Sequence, residues 1–165
     1  LNIHTVNKMI EEIWQQPEII AWTDVLLDSY ERLLGNQLIK KNQNGAERAK
    51  ELFFAPFVVA SHGREQDPIL NYGNQMALDL WQMNWQDFIT TPSRLTAERI
   101  NQEERQGMLL KAAKDGFIDN YQGVRISSTG RRFAIEKAII WNLVDGDNRP
   151  CGQAATFSHW SFLAD

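Results

Sequence analysis

The sequence predicts an α+β domain, and three observations predict it. Two apolar stripes at helical spacing occupy the first 34 residues. The last third holds three β-rich runs separated by tight-turn signals. Between these regions, two shorter β-rich runs are followed by a string of helical pieces.

The elements can be justified in order. Val6, Met9, Ile10, Ile13 and Trp14 share one helical face, as do Ile19, Trp22, Leu26, Tyr30 and Leu33, so helices are expected over 4–15 and 17–34. Pro17 suits a first helical turn, where its missing N–H costs nothing, and Gly35 suits a stop. The polar stretch "GNQLIKKNQNG", 35–45, reads as a linker, and a short helix is expected over 46–53. The expected division is therefore an N-terminal helical extension with linker, 1–45, and a main domain, 46–165.

"PFVVASHG" and "DPILNYGN" read as neighbouring strands. Asn74 then stands where its side chain can cap a helix over 74–82, followed by a second helical piece over 84–89 and a turn at Thr91-Pro92. "NQEERQGMLLKAAKDG", 101–116, reads as a helix with Asn101 as N-cap, Glu103 and Glu104 in the favourable first turn, and Gly116 as the stop. "FIDNYQGVRISS", "RRFAIEKAIIWNLV" and "PCGQAATFSHW" follow as an antiparallel meander. In the second of these runs the odd positions Phe133, Ile135, Ile139, Trp141 and Leu143 form an apolar face. The even positions form a smaller, partly polar one, so both sides of the sheet are expected to be covered.

Bulk composition narrows the function classes. The chain has 165 residues, 43% of them hydrophobic, with six Trp and eight Phe, enough for a packed core and against disorder. A net charge of −4 gives no footprint for nucleic acid. The longest apolar run, "LFFAPFVVA", is too short to span a membrane and is interrupted by Pro56. A single cysteine, Cys151, excludes an internal disulfide framework. With no leader-like apolar stretch at the start, the expected location is the cytoplasm.

The order helix, helix, β, β, short helices, helix, β, β, β resembles that of PAS domains. "NYGNQMALDLW", "MNWQDFI", "STGRRFAIE" and "DGDNRPCGQAATF" carry that resemblance. The similarity is closer to the PAS-related MEKHLA family. It covers about residues 50–163 and rests on "FVVASHGREQDPILNYGNQMALDLW", "PSRLTAE", "GFIDNYQGVRISSTGRRFAIEKAIIWNL" and "GQAATF". It implies a PAS-like five-stranded antiparallel sheet with helices across one face. In plants such domains end homeodomain–leucine zipper proteins, where they are thought to act in regulation through association, and bacterial members are often short. The resemblance implies no catalytic residues, and a bacterial stand-alone chain is the expectation.

Chemistry is sparse. No phosphate-loop, dinucleotide, zinc-protease or nucleophile-elbow motif is present. His62 and His159 end predicted strands that are neighbours in the PAS order, yet two histidines do not close a zinc site without Glu65 or Asp67. The helical crossing holds no Cys for a flavin adduct and 101–116 no His for haem, so the sequence supports no flavin, haem or metal cofactor. The candidate ligand-binding residues are Arg94, Tyr121, Arg125, Glu136 and Trp141. A two-residue Thr129-Gly130 loop would place Arg125 and Glu136 diagonally on one face as an ion pair, whereas a three-residue loop would separate them. Arg94 is an anion-clamp candidate, while Tyr121 and Trp141 are candidate walls.

The reading favoured is a non-enzymatic sensory or regulatory module that binds a small molecule and signals through self-association or a protein partner. A ligand-free dimerisation module is the alternative. A small cone-shaped α+β isomerase is a third reading and needs a titratable group deep in a pocket.

Overall fold

The computed structural model describes residues 13–40, 44–97 and 102–164. The expected helix over 4–15, with His4, Glu11 and Glu12, falls almost wholly outside them, as do Lys41 and Asn101. The side chains of Glu103 and Glu104 lie outside them too.

Helix α1 (Pro17–Leu34) begins with Pro17 in its first turn and ends on Gly35, whose φ of 79° closes the helix through a hydrogen bond to the Glu31 carbonyl. Helix α2 (Gly45–Phe53) is capped by the Asn44 side chain, which accepts from the Glu47 N–H. Strands β1 (Val58–His62) and β2 (Leu70–Gly73) pair antiparallel. Helices α3 (Gln75–Trp81) and α4 (Trp85–Phe88) follow, capped by Asn74 and Asn84. A 3-10 turn (Ser93–Thr96) leads to α5 (Gln102–Asp115). Strands β3 (Phe117–Ile126), β4 (Arg132–Val144), β5 (Pro150–Phe157) and β6 (His159–Phe162) complete the chain.

All strands form one sheet in the order β2-β1-β5-β4-β3, with β6 also on β4. The predicted fifth strand is thus split at Ser158: its first part lies between β1 and β4, and its second continues along β4 alone.

Both faces are covered, as the two-faced β4 predicts. On one face lies α1. Leu26 is fully buried, the Trp141 indole N–H donates to the Leu26 carbonyl (3.1 Å), and Tyr30 packs edge-on to Trp141 at 5.1 Å. Ser29 accepts from the Val144 N–H, and Trp22 donates to Ser61 Oγ. Arg48 of α2 holds α1 through Asp24 (3.1 Å) and Asp28 (3.7 Å). On the other face, Trp81 of α3 meets Phe133, Phe157 and Phe88, with ring centroids 5.4–6.1 Å apart.

The expectation of one odd-numbered apolar face on β4 is corrected. Tyr121 pairs with Ala138 and Gly123 with Ile135, so β4 carries an extra residue there, and Lys137 takes a φ of 53°. The bulge switches parity. Phe133 and Ile135 face the helical crossing, whereas Trp141 and Leu143 face the side of α1.

Asn74 pins the junction between the layers. Its Oδ1 accepts from the N–H groups of Ala77 (3.2 Å) and Val59 (3.1 Å). Its Nδ2 donates to the carbonyls of Leu52 (3.1 Å) and Phe57 (2.7 Å). It is wholly buried, and all four of these bonds are made inside the protein.

Candidate functional site: a cavity under the helical crossing

Ala60 of β1 lies opposite Ala155 of β5, which lies opposite Ile140 of β4. Two methyl side chains side by side cannot fill the space beneath helices carrying Trp81, Phe88 and Met108. A cavity of about 100 Å³ remains. Ile118 and Ile135 extend its floor, and Ser93, Thr96 and Ala97 form part of its rim.

The polar end comes from β3. Alternation puts Tyr121, Gly123 and Arg125 on one face. Arg125 Nη2 donates to Tyr121 Oη at 3.1 Å, Nη1 donates to the Val124 carbonyl at 3.1 Å, and the guanidinium carbon lies 5.4 Å from the Tyr121 ring centroid. Gly123 makes this possible: a Cβ there would fall 2.2 Å from Tyr121 Oη and 3.0 Å from Arg125 Nη1. Ala97 bridges to the Arg125 backbone and fixes that end of the strand against the rim.

The electrostatics are one-sided. Arg125 and His62 line the cavity, and no Asp or Glu does so among the described residues. No carboxylate among them pairs with Arg125. The Trp81 indole N–H is buried and also lacks an acceptor.

Of the predicted site residues, Tyr121 and Arg125 meet at the cavity. The other three lie elsewhere. Arg94 is exposed on the 3-10 turn and pairs with Asp67 at 3.1 Å. Trp141 is wholly buried on the opposite face, under α1. Glu136 is exposed and stands opposite His159. The Arg125–Glu136 pair is corrected by the register: Arg125 is opposite Phe133, and Gly123 is opposite Ile135 rather than Glu136. The cause is the hairpin loop. Ser127 N–H donates to the Arg131 carbonyl, so Ser128, Thr129 and Gly130 form a three-residue loop, with Gly130 at a φ of 87°.

The two histidines are likewise separated. His62 lies opposite Gln153, whereas His159 lies on β6 beyond the other end of the β1–β5 ladder. Among the described residues no group of three or more His, Cys, Asp or Glu is arranged to hold a metal. Cys151 is half-buried on β5. Burial and the Asp145 carboxylate raise its pKa, with Arg64 opposing.

The alanine floor and Trp81 were missed as site residues. Small residues at matched register positions are the signal for such a floor, but that register depends on strand pairing far along the chain.

The comparisons with known proteins agree with this geometry. The PAS domain of a Colwellia psychrerythraea protein superposes with a TM-score of 0.59 at 13% identity, over 71% of this chain and 94% of that one. A light-oxygen-voltage domain studied with a flavin analogue superposes at 0.55 with 14% identity, over 72% and 86%. The fold is therefore PAS-like. The homeobox-leucine zipper protein HOX9 of Oryza sativa is 23% identical over 161 residues, and ATHB-8 of Arabidopsis thaliana is 26% identical over 153. The chain spans 18% of the length of each of these plant proteins, which give the expected bacterial source no support. The MEKHLA domain profile matches residues 20–162, so it takes in most of α1 as well as the sheet, and the chain belongs to the MEKHLA domain family.

Proposed function

We propose that this domain is a non-enzymatic regulatory module that binds a small ligand in the cavity and reports its occupancy through association with another chain. The observation that supports this most is the Tyr121–Arg125 pair set on a cavity that is lined mainly by apolar side chains. An apolar wall with a few convergent polar groups is the usual make-up of a small-molecule site. Cys151 is not among the lining residues, so the cavity offers no thiol for a flavin adduct. His62 is there, with Nδ1 2.8 Å from the Gly63 carbonyl, so the cavity does hold a titratable group of the kind the isomerase reading needs.

β4 supplies a route from ligand to surface. Ile135 and Ile140 line the cavity, and Trp141 and Leu143 lie on the face toward α1. A ligand that binds one packing of β4 more tightly than another shifts what α1 presents, and only through that difference in affinity. A light-state dimer of the fungal photoreceptor Vivid, with a TM-score of 0.52 to this chain, adds support for association as the output. No helix among the described residues is long and apolar enough to cross a membrane. With one unpaired cysteine, the domain suits a reducing compartment such as the cytoplasm.

The test is the mass of freshly purified protein under native and then denaturing conditions. A discrete extra mass that disappears on denaturation is expected. A bare chain that runs as a dimer would favour the ligand-free association module instead.

A further inference from the structure

We infer that the ligand is a small organic anion, a carboxylate with a short apolar tail, whose oxygens are held by Arg125. This rests on the ligand-binding reading above. A guanidinium at the edge of an apolar cavity is costly to desolvate unless a counter-charge arrives. Arg125 has none among the described residues: its guanidinium donates to the neutral Val124 carbonyl and Tyr121 hydroxyl. With no lining Asp or Glu described, nothing there repels an anion. The Arg125 fork retains further N–H groups beyond those bonds, and a planar fork matches a carboxylate.

A second observation is independent of Arg125. Trp81 is 5% exposed, its indole N–H has no acceptor among the described residues, and the residue lines the same cavity. Buried donors without acceptors are rare, and a ligand oxygen would satisfy this one. Size sets the tail. The cavity, about 100 Å³, is well above the ~10–15 Å³ that one water occupies and below the ~300–1,000 Å³ of drug-sized sites. Apart from Arg125, Tyr121, the rim hydroxyls of Ser93 and Thr96, and Ser61, His62 and Gln153 of the sheet, its wall is aliphatic and aromatic. A handful of carbon atoms on one carboxylate fits both facts.

The experiment is calorimetric titration of the full chain with sodium acetate, butyrate, hexanoate and benzoate. Each is run against sodium chloride at equal ionic strength and against the corresponding alcohol. Saturable binding of at least one acid and of no alcohol is expected. Arg125→Gln is expected to weaken it about 10-fold or more, as loss of a charge-assisted hydrogen bond does. Trp81→Phe is expected to weaken it a few-fold, and Arg94→Gln to leave it unchanged. Ala155→Leu, which fills the floor while leaving Arg125 in place, is expected to abolish it, so the test survives a poorly folded Arg125 variant. Failure of all four acids to bind up to about 10 mM overturns the inference. Equal binding of alcohols, or unchanged binding by folded Arg125→Gln, overturns it too but leaves a ligand-binding module standing. A bare native mass together with no binding by any probe removes both.

Discussion

Asn74 concentrates more structure than any other polar side chain in the described protein. It caps α3 and also ties β1 to the segment joining α2 to that strand. Asn74→Ala would leave two N–H groups and two carbonyls without these partners, and an unsatisfied buried group costs ~1–3 kcal/mol. A loss of at least about 2 kcal/mol is expected in urea unfolding. Asn74→Asp keeps the cap but turns two donors into acceptors facing carbonyls, and should be no better. Only the cap was legible in the sequence. The bonds to Leu52, Phe57 and Val59 join segments that a local pattern does not connect. Tyr72 is informative through pH. Its hydroxyl is wholly buried without a partner, and burial pushes its pKa far above the ordinary 10. The folded chain therefore holds this proton where the unfolded chain has lost it. The contribution is intact below about pH 10 and is lost as pH rises beyond it, by ~1.4 kcal/mol per pH unit for one such group. Unfolding at pH 9 and 11 should show the loss, and Tyr72→Phe should flatten it.

Among the elements, α1 departs most from the expected division of the chain. It shares the sheet's core through Leu26, Leu27 and Tyr30, and through the Trp141 hydrogen bond to Leu26. Full burial of such side chains contributes roughly 1.5–3 kcal/mol each, so together they rival the ~5–15 kcal/mol of a whole domain. Removing residues 1–44 is therefore expected to give unfolded or aggregated protein, seen by circular dichroism, rather than a stable domain beginning at residue 45. Helix and strand positions were otherwise legible because apolar periodicity and Asn, Pro and Gly punctuation agree locally. The register of β3 against β4 was not. "SSTGRR" allows loops of two or three residues, and the parity switch sits at Lys137, a residue type that gives no warning of a positive φ.

For the whole molecule, the two layers on either side of the sheet are joined by β4, which belongs to both. If ligand and surface communicate through that strand, binding of a carboxylate probe should slow amide hydrogen exchange in β3 and β4 and also in α1. Slowing confined to β3 and β4 would mean that the cavity and α1 respond separately. The candidate site was half legible. Tyr121 was identified as a wall and Arg125 as a polar anchor, the latter for a pairing with Glu136 that the register does not allow. Trp141 was assigned to the same wall, but the bulge turns it to the opposite layer. The cavity itself depends on Ala60 and Ala155 meeting across strands nearly a hundred residues apart in sequence.

The extra residue in β4 also bears on how the gene can vary. Most substitutions on a strand are felt only where they occur. Loss of a single codon at Glu136 or Lys137 would remove the bulge and leave the facings as they are, because the strand would then alternate without a break from Phe133 to Leu143. A codon lost from a regular stretch has the opposite effect: without Ala134, Phe133 and Ile135 become neighbours and can no longer share the face of the helical crossing. Relatives sharing this architecture are therefore expected to differ by one residue at this exposed bulge more readily than in the regular parts of β4, with other insertions and deletions accumulating in the exposed turn at Asp145-Gly146-Asp147-Asn148.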